Sequence, residues 1–191
     1  VGMIVFLVRV GVAAPVVAVS SVHLPEVISP EQLKAWVSSG VAGIPDLLAA
    51  MGRVDWAKFA ECNCGMEYTD ALLQITREMA NRSVACAHAF SEVLKATTTS
   101  SKQRYGVLLG LAGTNRVPPP LYDGLLSCLS DPSFEIRMRA SEILARGGFR
   151  QAAPAIKAAM KRETVHSTRQ RMSYHLYLLG DPEGDPQALR R

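Results

Sequence analysis

The chain of 191 residues is long enough to bury a sizeable core, which excludes the small disulfide-stapled scaffolds. With 48% apolar and 20% charged residues it is too hydrophobic to be mostly disordered, and because only 6% is aromatic, the composition favours packed helices over a β-sandwich. The net charge of +4 is well below the excess of Lys and Arg that is typical of dedicated nucleic-acid binders.

Residues 1–22 form a hydrophobic N-terminal segment whose only charge is Arg9. A secretory signal peptide combines a positive charge, an apolar run and a small-x-small cleavage site, and this segment supplies all three, with the cleavage site at residues 18–20. A membrane span is disfavoured because Arg9 and Pro15 would lie inside it. We therefore expect a signal peptide and export to the periplasm or the cell exterior. The alternative is a buried strand or hydrophobic helix of a cytoplasmic protein.

The four cysteines leave the redox compartment open. Cys62 and Cys64 are spaced too tightly for an easy mutual disulfide, so in an exported chain either could pair with Cys86 or Cys128. The pattern Cys-x-Cys together with Cys86-x-His88 offers zinc ligands, but residues two apart on a helix point about 200° away from each other. We expect no metal site.

Residues 29–82 are predicted to be an N-terminal helical cap. Ser29 and Gln32 form a capping box around Pro30, and Gly40 is the natural end of that first helix. Short helices are predicted over 46–51 and 55–61, followed by a long helical stretch over 70–96 with a break at 81–83.

Three later segments each close a helix on a glycine, and the spacings between these glycines are 34 and 33 residues. Self-similarity at such a period is typical of a repeat array. The closing glycines are Gly113, Gly147 and Gly180. A small residue stands seven positions before each of them: Gly106, Ala140 and Ser173. We predict that these small residues occupy one recurring position at which neighbouring helices approach closely.

Each closing helix of the last two units is preceded by a partner helix with an apolar stripe. The two stripes are Leu121, Leu125, Cys128 and Leu129, and Ala152, Ile156, Ala159 and Met160. The turns between partners are short. In the first, Asp131 or Ser133 is predicted to cap the second helix, with Pro132 in its first turn. A lone hairpin could not cover these apolar faces, so neighbouring hairpins must stack.

The unit over residues 123–147 contains a Leu-x-Asp-Pro turn, a run with Ile136, Arg137 and Ala140, and a final glycine. In these features it resembles a HEAT repeat of the bacterial HEAT-like kind. The resemblance extends over residues 83–182 and is weaker in the last unit, where Lys-Arg-Glu at 161–163 replaces Asp-Pro. It implies an all-α fold, an α-α superhelix in which a short HEAT-like solenoid of stacked helical hairpins follows the N-terminal capping helices. Residues 183–191 would be a C-terminal tail.

Positive charge is concentrated in the second half of the chain. Residues 1–100 carry seven Lys and Arg against nine Asp and Glu, whereas residues 101–191 carry fourteen against eight. The resemblance implies that second helices line a concave face, where arginines would form a positive stripe for binding. The candidate binding residues are Arg137, Arg139, Arg146, Arg169, Arg171 and Tyr174. Alternatively, such arginines pair with acidic residues of the adjacent turn, Asp131 or Glu135, and hold successive units together.

No motif of a hydrolase, metalloprotease or nucleotide-binding protein occurs, so we expect a protein without catalytic activity or cofactor. The function that we favour is a scaffold that binds another protein, one with an acidic surface, through the concave face. The resemblance also implies an alternative, binding of nucleic acid or DNA lesions in the manner of HEAT-like alkylpurine glycosylases. A HEAT-like phycobilin lyase is a more distant candidate.

Overall fold

The computed structural model describes residues 30–58, 67–114 and 116–190. Within these ranges the chain is all-helical, with nine α-helices, short 3-10 turns and no strand, so the predicted all-α class is confirmed. The helices are α1 Pro30–Ser39, α2 Ile44–Arg53, α3 Glu67–Arg82, α4 Val84–Lys95, α5 Ser101–Ala112, α6 Tyr122–Cys128, α7 Phe134–Arg146, α8 Ala153–Arg162 and α9 His166–Leu178.

Several predicted features lie outside the described residues. These are the hydrophobic segment 1–22 with its export signal, the Ser29 cap, and the two cysteines Cys62 and Cys64. Among the helices that the structure does describe, none combines the length and the hydrophobicity that crossing a bilayer requires.

The predicted end of α1 and the predicted break between α3 and α4 agree with the structure, whereas α2 is longer than the predicted 46–51 and the helix predicted over 55–61 lies partly outside the described residues. Helix α1 begins at Pro30 and ends before Gly40, whose φ of +59° is the left-handed conformation that glycine adopts without strain. The break predicted at 81–83 separates α3 from α4. There the Ser83 hydroxyl accepts a hydrogen bond from the Cys86 backbone N–H at 3.2 Å and caps α4.

The turn before α7 differs from the prediction. Ser133 precedes α7, but its hydroxyl donates to the Glu135 carboxylate and caps no backbone N–H. Pro132 lies before the helix, outside its first turn. The Asp131 carboxylate instead accepts the Ser133 backbone N–H at 2.9 Å, which closes an Asx turn. In the next hairpin, which lacks the Asp-Pro pair, the Glu163 carboxylate accepts the Val165 N–H at 3.0 Å. This turn therefore also contains a carboxylate that binds its own backbone.

The last six helices form three hairpins, α4–α5, α6–α7 and α8–α9. The second helices of neighbouring hairpins pack together at both junctions, whereas the first helices pack together extensively only at the first junction. Helix α5 packs against α7 and α7 against α9, while α4 packs against α6. Helices α2 and α3 pack against α5 from the N-terminal side. The buried apolar side chains of all these helices form one continuous core.

Several contacts between hairpins join residues about one period apart. The Ser91 hydroxyl accepts the Gly124 backbone N–H at 3.0 Å across 33 residues, and Ser141 contacts His175 at 2.9 Å across 34. The Arg146 guanidinium donates to the Ala112 carbonyl at 3.2 Å, again across 34 residues. The period read from the glycines therefore corresponds to real spatial repetition in the helices.

The recurring position predicted for Gly106, Ala140 and Ser173 stays a prediction, because the structure gives the approach distance only at the glycine. Counted from the helix starts, these are the sixth, seventh and eighth residues of α5, α7 and α9. At Gly106 the approach is close, since a Cβ there would lie 2.5 Å from the Trp56 ring.

Gly124 is the tightest test of the contact between α4 and α6. A Cβ at this glycine would lie 2.7 Å from the Ser91 carbonyl oxygen and 2.8 Å from its Cα, and backbone atoms cannot move aside cheaply. Gly124→Ala should therefore destabilise the protein by about 1–2 kcal/mol in urea denaturation, even after the gain in helix propensity.

Gly52→Ala is the matched control, because the nearest atom to its new Cβ would be Gln103 Cγ at 3.6 Å, an ordinary contact. This control should be as stable as the parent protein or slightly more so. Equal unfolding midpoints for the two variants would contradict the tight approach of α4 and α6.

Candidate interaction surface

At each of the two junctions between hairpins, one arginine binds a carboxylate of the following hairpin. We call these two contacts the arginine ladder. In α5, Arg104 Nε donates to Asp131 Oδ2 at 2.9 Å. In α7, Arg137 Nε and Nη2 donate to the two Glu163 carboxylate oxygens, each at 2.8 Å. Both carboxylates belong to the turn of the following hairpin, and the second pair has the bidentate geometry that makes such contacts strong.

Each ladder arginine also binds the turn of its own hairpin. Arg104 Nη1 donates to the Thr99 and Ala96 carbonyls. Arg137 Nη1 donates to the Asp131 and Pro132 carbonyls at 2.7 and 2.8 Å. Each guanidinium therefore joins two consecutive turns.

The alternative was that the arginines pair with acidic residues of an adjacent turn and hold successive units together. Arg137 does pair in this way, although its carboxylate partner is neither Asp131 nor Glu135. The Asp131 carboxylate is held by Arg104, and Arg137 takes Glu163 from one hairpin further on. The Arg137 side chain is 18% exposed. Its predicted role in binding a partner remains a prediction, and its guanidinium is already engaged within the fold.

Glu163 is a buried carboxylate that stays charged. Burial would raise its pKa, but the Val165 backbone N–H and the Arg137 guanidinium donate to it and hold the pKa below its ordinary value. The sequence analysis did not single out Glu163. The available signal was a carboxylate 26 or 27 residues after an arginine, in two consecutive units.

The two other candidate arginines of α7 share one carboxylate. Arg139 Nη1 donates to Glu142 at 2.7 Å, and Arg146 Nη1 donates to the second oxygen of Glu142 at 3.4 Å. The Arg146 side chain is 58% exposed and that of Arg139 is 26% exposed. The predicted positive stripe is therefore partly neutralised along α7.

The candidate arginines of α9 are less constrained. Arg169 and Arg171 are exposed, and neither side chain makes a hydrogen bond or ion pair with another residue in the described ranges. Arg171, Tyr174 and Leu178 are three and four residues apart and so share one side of the helix. The Tyr174 and Tyr177 ring centroids are 6.1 Å apart.

We call Arg171, Tyr174, Tyr177 and Leu178 the α9 face. Tyr177 and Leu178 are 47% and 46% exposed, which is unusual for large apolar side chains on one helix. The sequence analysis missed Leu178. Its position off the buried stripe of Met172, Leu176 and Leu179 was the signal that could have found it.

The described cysteines are free thiols. Cys86 and Cys128 are both buried and take part in no disulfide. Burial, with a smaller contribution from the Asp131 charge, raises the pKa of Cys128 to about 12, so this thiol is unreactive. Cys86 is buried whereas His88 is exposed, so the two lie on different sides of α4. Within the described ranges no three His, Cys, Asp or Glu side chains come together as metal ligands.

A buried polar contact joins α7 to α9. The Ser141 hydroxyl and His175 Nδ1 are 2.9 Å apart, and His175 is only 7% exposed. Burial lowers the pKa of His175 to about 4; the nearby Arg171 and Arg139 charges act in the same direction, and Glu142 opposes them. The imidazole is therefore neutral at physiological pH.

No model of a known protein family matches the chain, and no curated protein or solved structure matches it either. The chemistry of the surface is that of recognition: exposed guanidinium groups beside tyrosine rings and an exposed leucine. Such groups bind carboxylates and apolar side chains of a partner.

The arginine ladder predicts a large difference between two arginines at equivalent helix positions. Arg104→Met leaves the Asp131 carboxylate buried without its partner and should lower the free energy of unfolding by about 3 kcal/mol. Arg169→Met removes an exposed guanidinium and should change it by less than about 0.5 kcal/mol. Urea denaturation measures both, and losses of similar size would contradict the structural role of the ladder.

The buried imidazole predicts a pH dependence. His175 in the unfolded chain takes up a proton below pH 6.5, whereas in the folded chain it does so only near pH 4. Lowering the pH from about 7.5 to about 5.5 should therefore reduce the free energy of unfolding by about 1 kcal/mol through this residue. The measurement is urea denaturation at the two pH values. His175→Gln should lose this part of the dependence, whereas the same dependence in both proteins would mean that the folded chain protonates His175 readily.

Proposed function

We propose that the hairpins α4–α5, α6–α7 and α8–α9 form a short HEAT-like α-α superhelix, capped by the helices before residue 83, that binds another protein. Two observations support this architecture. The second helices of neighbouring hairpins contact each other in order, α5 with α7 and α7 with α9, and the same arginine-to-turn contact occurs at both junctions. Repetition of a contact at each junction is what a stacked repeat array requires.

The binding surface that we propose is formed by α7 and α9. Arg139 and Arg171 are the sixth residues of these two helices, and both charges lie near the buried His175 between them. The observation that carries the proposal is the α9 face, where Arg171, which has no side-chain partner among the described residues, lies beside the half-buried Tyr174 and the exposed Tyr177 and Leu178. Tyrosine and arginine are the residues that most often dominate the binding energy of protein interfaces.

An acidic protein partner fits this surface better than nucleic acid. Glu142 already engages Arg139 and Arg146 and would repel any anion there, so Arg171 is the guanidinium of this surface that is left for a partner carboxylate. The exposed Leu178 favours a protein, because a sugar-phosphate backbone offers no apolar side chain to cover it. A protein partner can place a carboxylate against Arg171 and an apolar side chain against Leu178. We propose no catalytic activity and no cofactor.

The test begins with a photo-crosslinking residue in place of Tyr174, which identifies the partner in extract of the native host. The affinity of the partner is then measured with purified proteins. Arg171→Glu combined with Leu178→Asp should weaken binding at least about tenfold, since it reverses a charge and removes an apolar contact. The matched control combines Lys161→Glu with Ala158→Asp, two exposed positions on α8 with the same change in charge. The control should bind normally.

Equal weakening by the two double variants would exclude the α9 face as the binding surface. A crosslinked species that nuclease digests would instead favour the nucleic-acid alternative and contradict the proposal.

A further inference from the structure

A third arginine stands at the same helix position as the two arginines of the ladder, and it holds no carboxylate within the described part of the chain. Arg104, Arg137 and Arg169 are each the fourth residue of their helix, α5, α7 and α9. The first two bind a carboxylate of the following turn. Arg169 is exposed and makes no ion pair or side-chain hydrogen bond with any residue that the structure describes. The arginine at this helix position thus holds a turn carboxylate in two helices, whereas in α9 it holds no carboxylate of the described residues.

Arg169 borders a cleft of about 500 Å³. Its walls come from α8, from α9 and from the segment after α9, and they include Met160, Arg169, Gln170, Ser173, Asp185 and Ala188. Ala188 is buried and Asp185 Oδ1 accepts the Gln187 backbone N–H at 2.8 Å, so the segment after α9 is packed in place beside the arginine. The cleft is therefore a built feature with room for a short loop.

We propose that Arg169 binds a carboxylate-bearing turn of a partner protein, in the way that Arg104 binds Asp131 and Arg137 binds Glu163. This inference rests on the proposed function, because it adds a second contact to the same acidic partner. A second copy of the chain is a poor occupant, since the two turn carboxylates suited to this contact are already held by its own arginines.

The two contacts of the ladder describe the turn that Arg169 should accept. In each, one side-chain oxygen also accepts the backbone N–H two residues further on, Ser133 for Asp131 and Val165 for Glu163. The carboxylate is thus fixed by its own turn before it meets the guanidinium. We expect the partner segment to be an Asp or Glu turn of this kind, in which the loss of conformational entropy on binding is small.

A peptide with the sequence of residues 129–134, Leu-Ser-Asp-Pro-Ser-Phe, is the probe, because it contains the turn that Arg104 binds. The full chain, labelled with nitrogen-15, is titrated with this peptide while the arginine Nε–H resonances are recorded by NMR. Arg169→Gln and Arg171→Gln variants assign the resonances of the two exposed arginines of α9. The Arg169 resonance should shift saturably, and the peptide with Asn in place of Asp should bind about tenfold more weakly.

Three results would overturn the inference: no shift at Arg169, an equal shift at Arg171, or an equal shift with the Asn peptide or with acetate. A dimer of the chain alone that dissociates on Arg169→Gln would assign the cleft to a second copy and would also overturn it. Each of these failures leaves the crosslinking result at Tyr174 untouched. The proposed function fails separately, when the α9 face variant binds its partner normally.

Discussion

The structure depends on partly buried guanidinium groups that join buried carboxylates in consecutive turns. The Glu163 side chain is fully buried, and it remains charged there because the Val165 backbone N–H and the bidentate Arg137 guanidinium both donate to it. A buried ion without its partner costs several kcal/mol, so a displaced hairpin would have to unpair the contact or rebuild it. The ladder therefore fixes the position of each hairpin on the next. Apolar packing alone, which is non-directional, leaves that position less defined.

Local features of the fold could be predicted because local chemistry decides them. Gly40 ends α1 because it adopts a positive φ, and Ser83 separates α3 from α4 because its hydroxyl caps the second helix. The contacts between hairpins were harder to predict. Glu163 was missed as the partner of Arg137, because the contact joins two different hairpins across 26 residues and depends on how the hairpins pack.

The same arrangement separates arginines that hold the fold from arginines that are free to bind. Arg104 and Arg137 are engaged in the ladder, whereas Arg171 and Arg169 stay exposed on the last helix. Charge in the sequence could not distinguish these groups, because the difference lies in whether a following turn supplies a carboxylate. The buried Ser141–His175 contact holds α7 against α9, so the surface proposed for binding stands on a packed support. Preorganised surfaces of this kind bind with little loss of conformational entropy.

A double-mutant cycle on Arg137 and Glu163 tests the central claim most directly. The free energy of unfolding is measured for the parent protein, Arg137→Met, Glu163→Gln and the double variant. The account predicts a coupling energy of about 2 kcal/mol or more, because each single variant leaves a buried polar group without its partner and the double variant removes both charges. A coupling energy below about 0.5 kcal/mol, the value of an exposed ion pair, would contradict it.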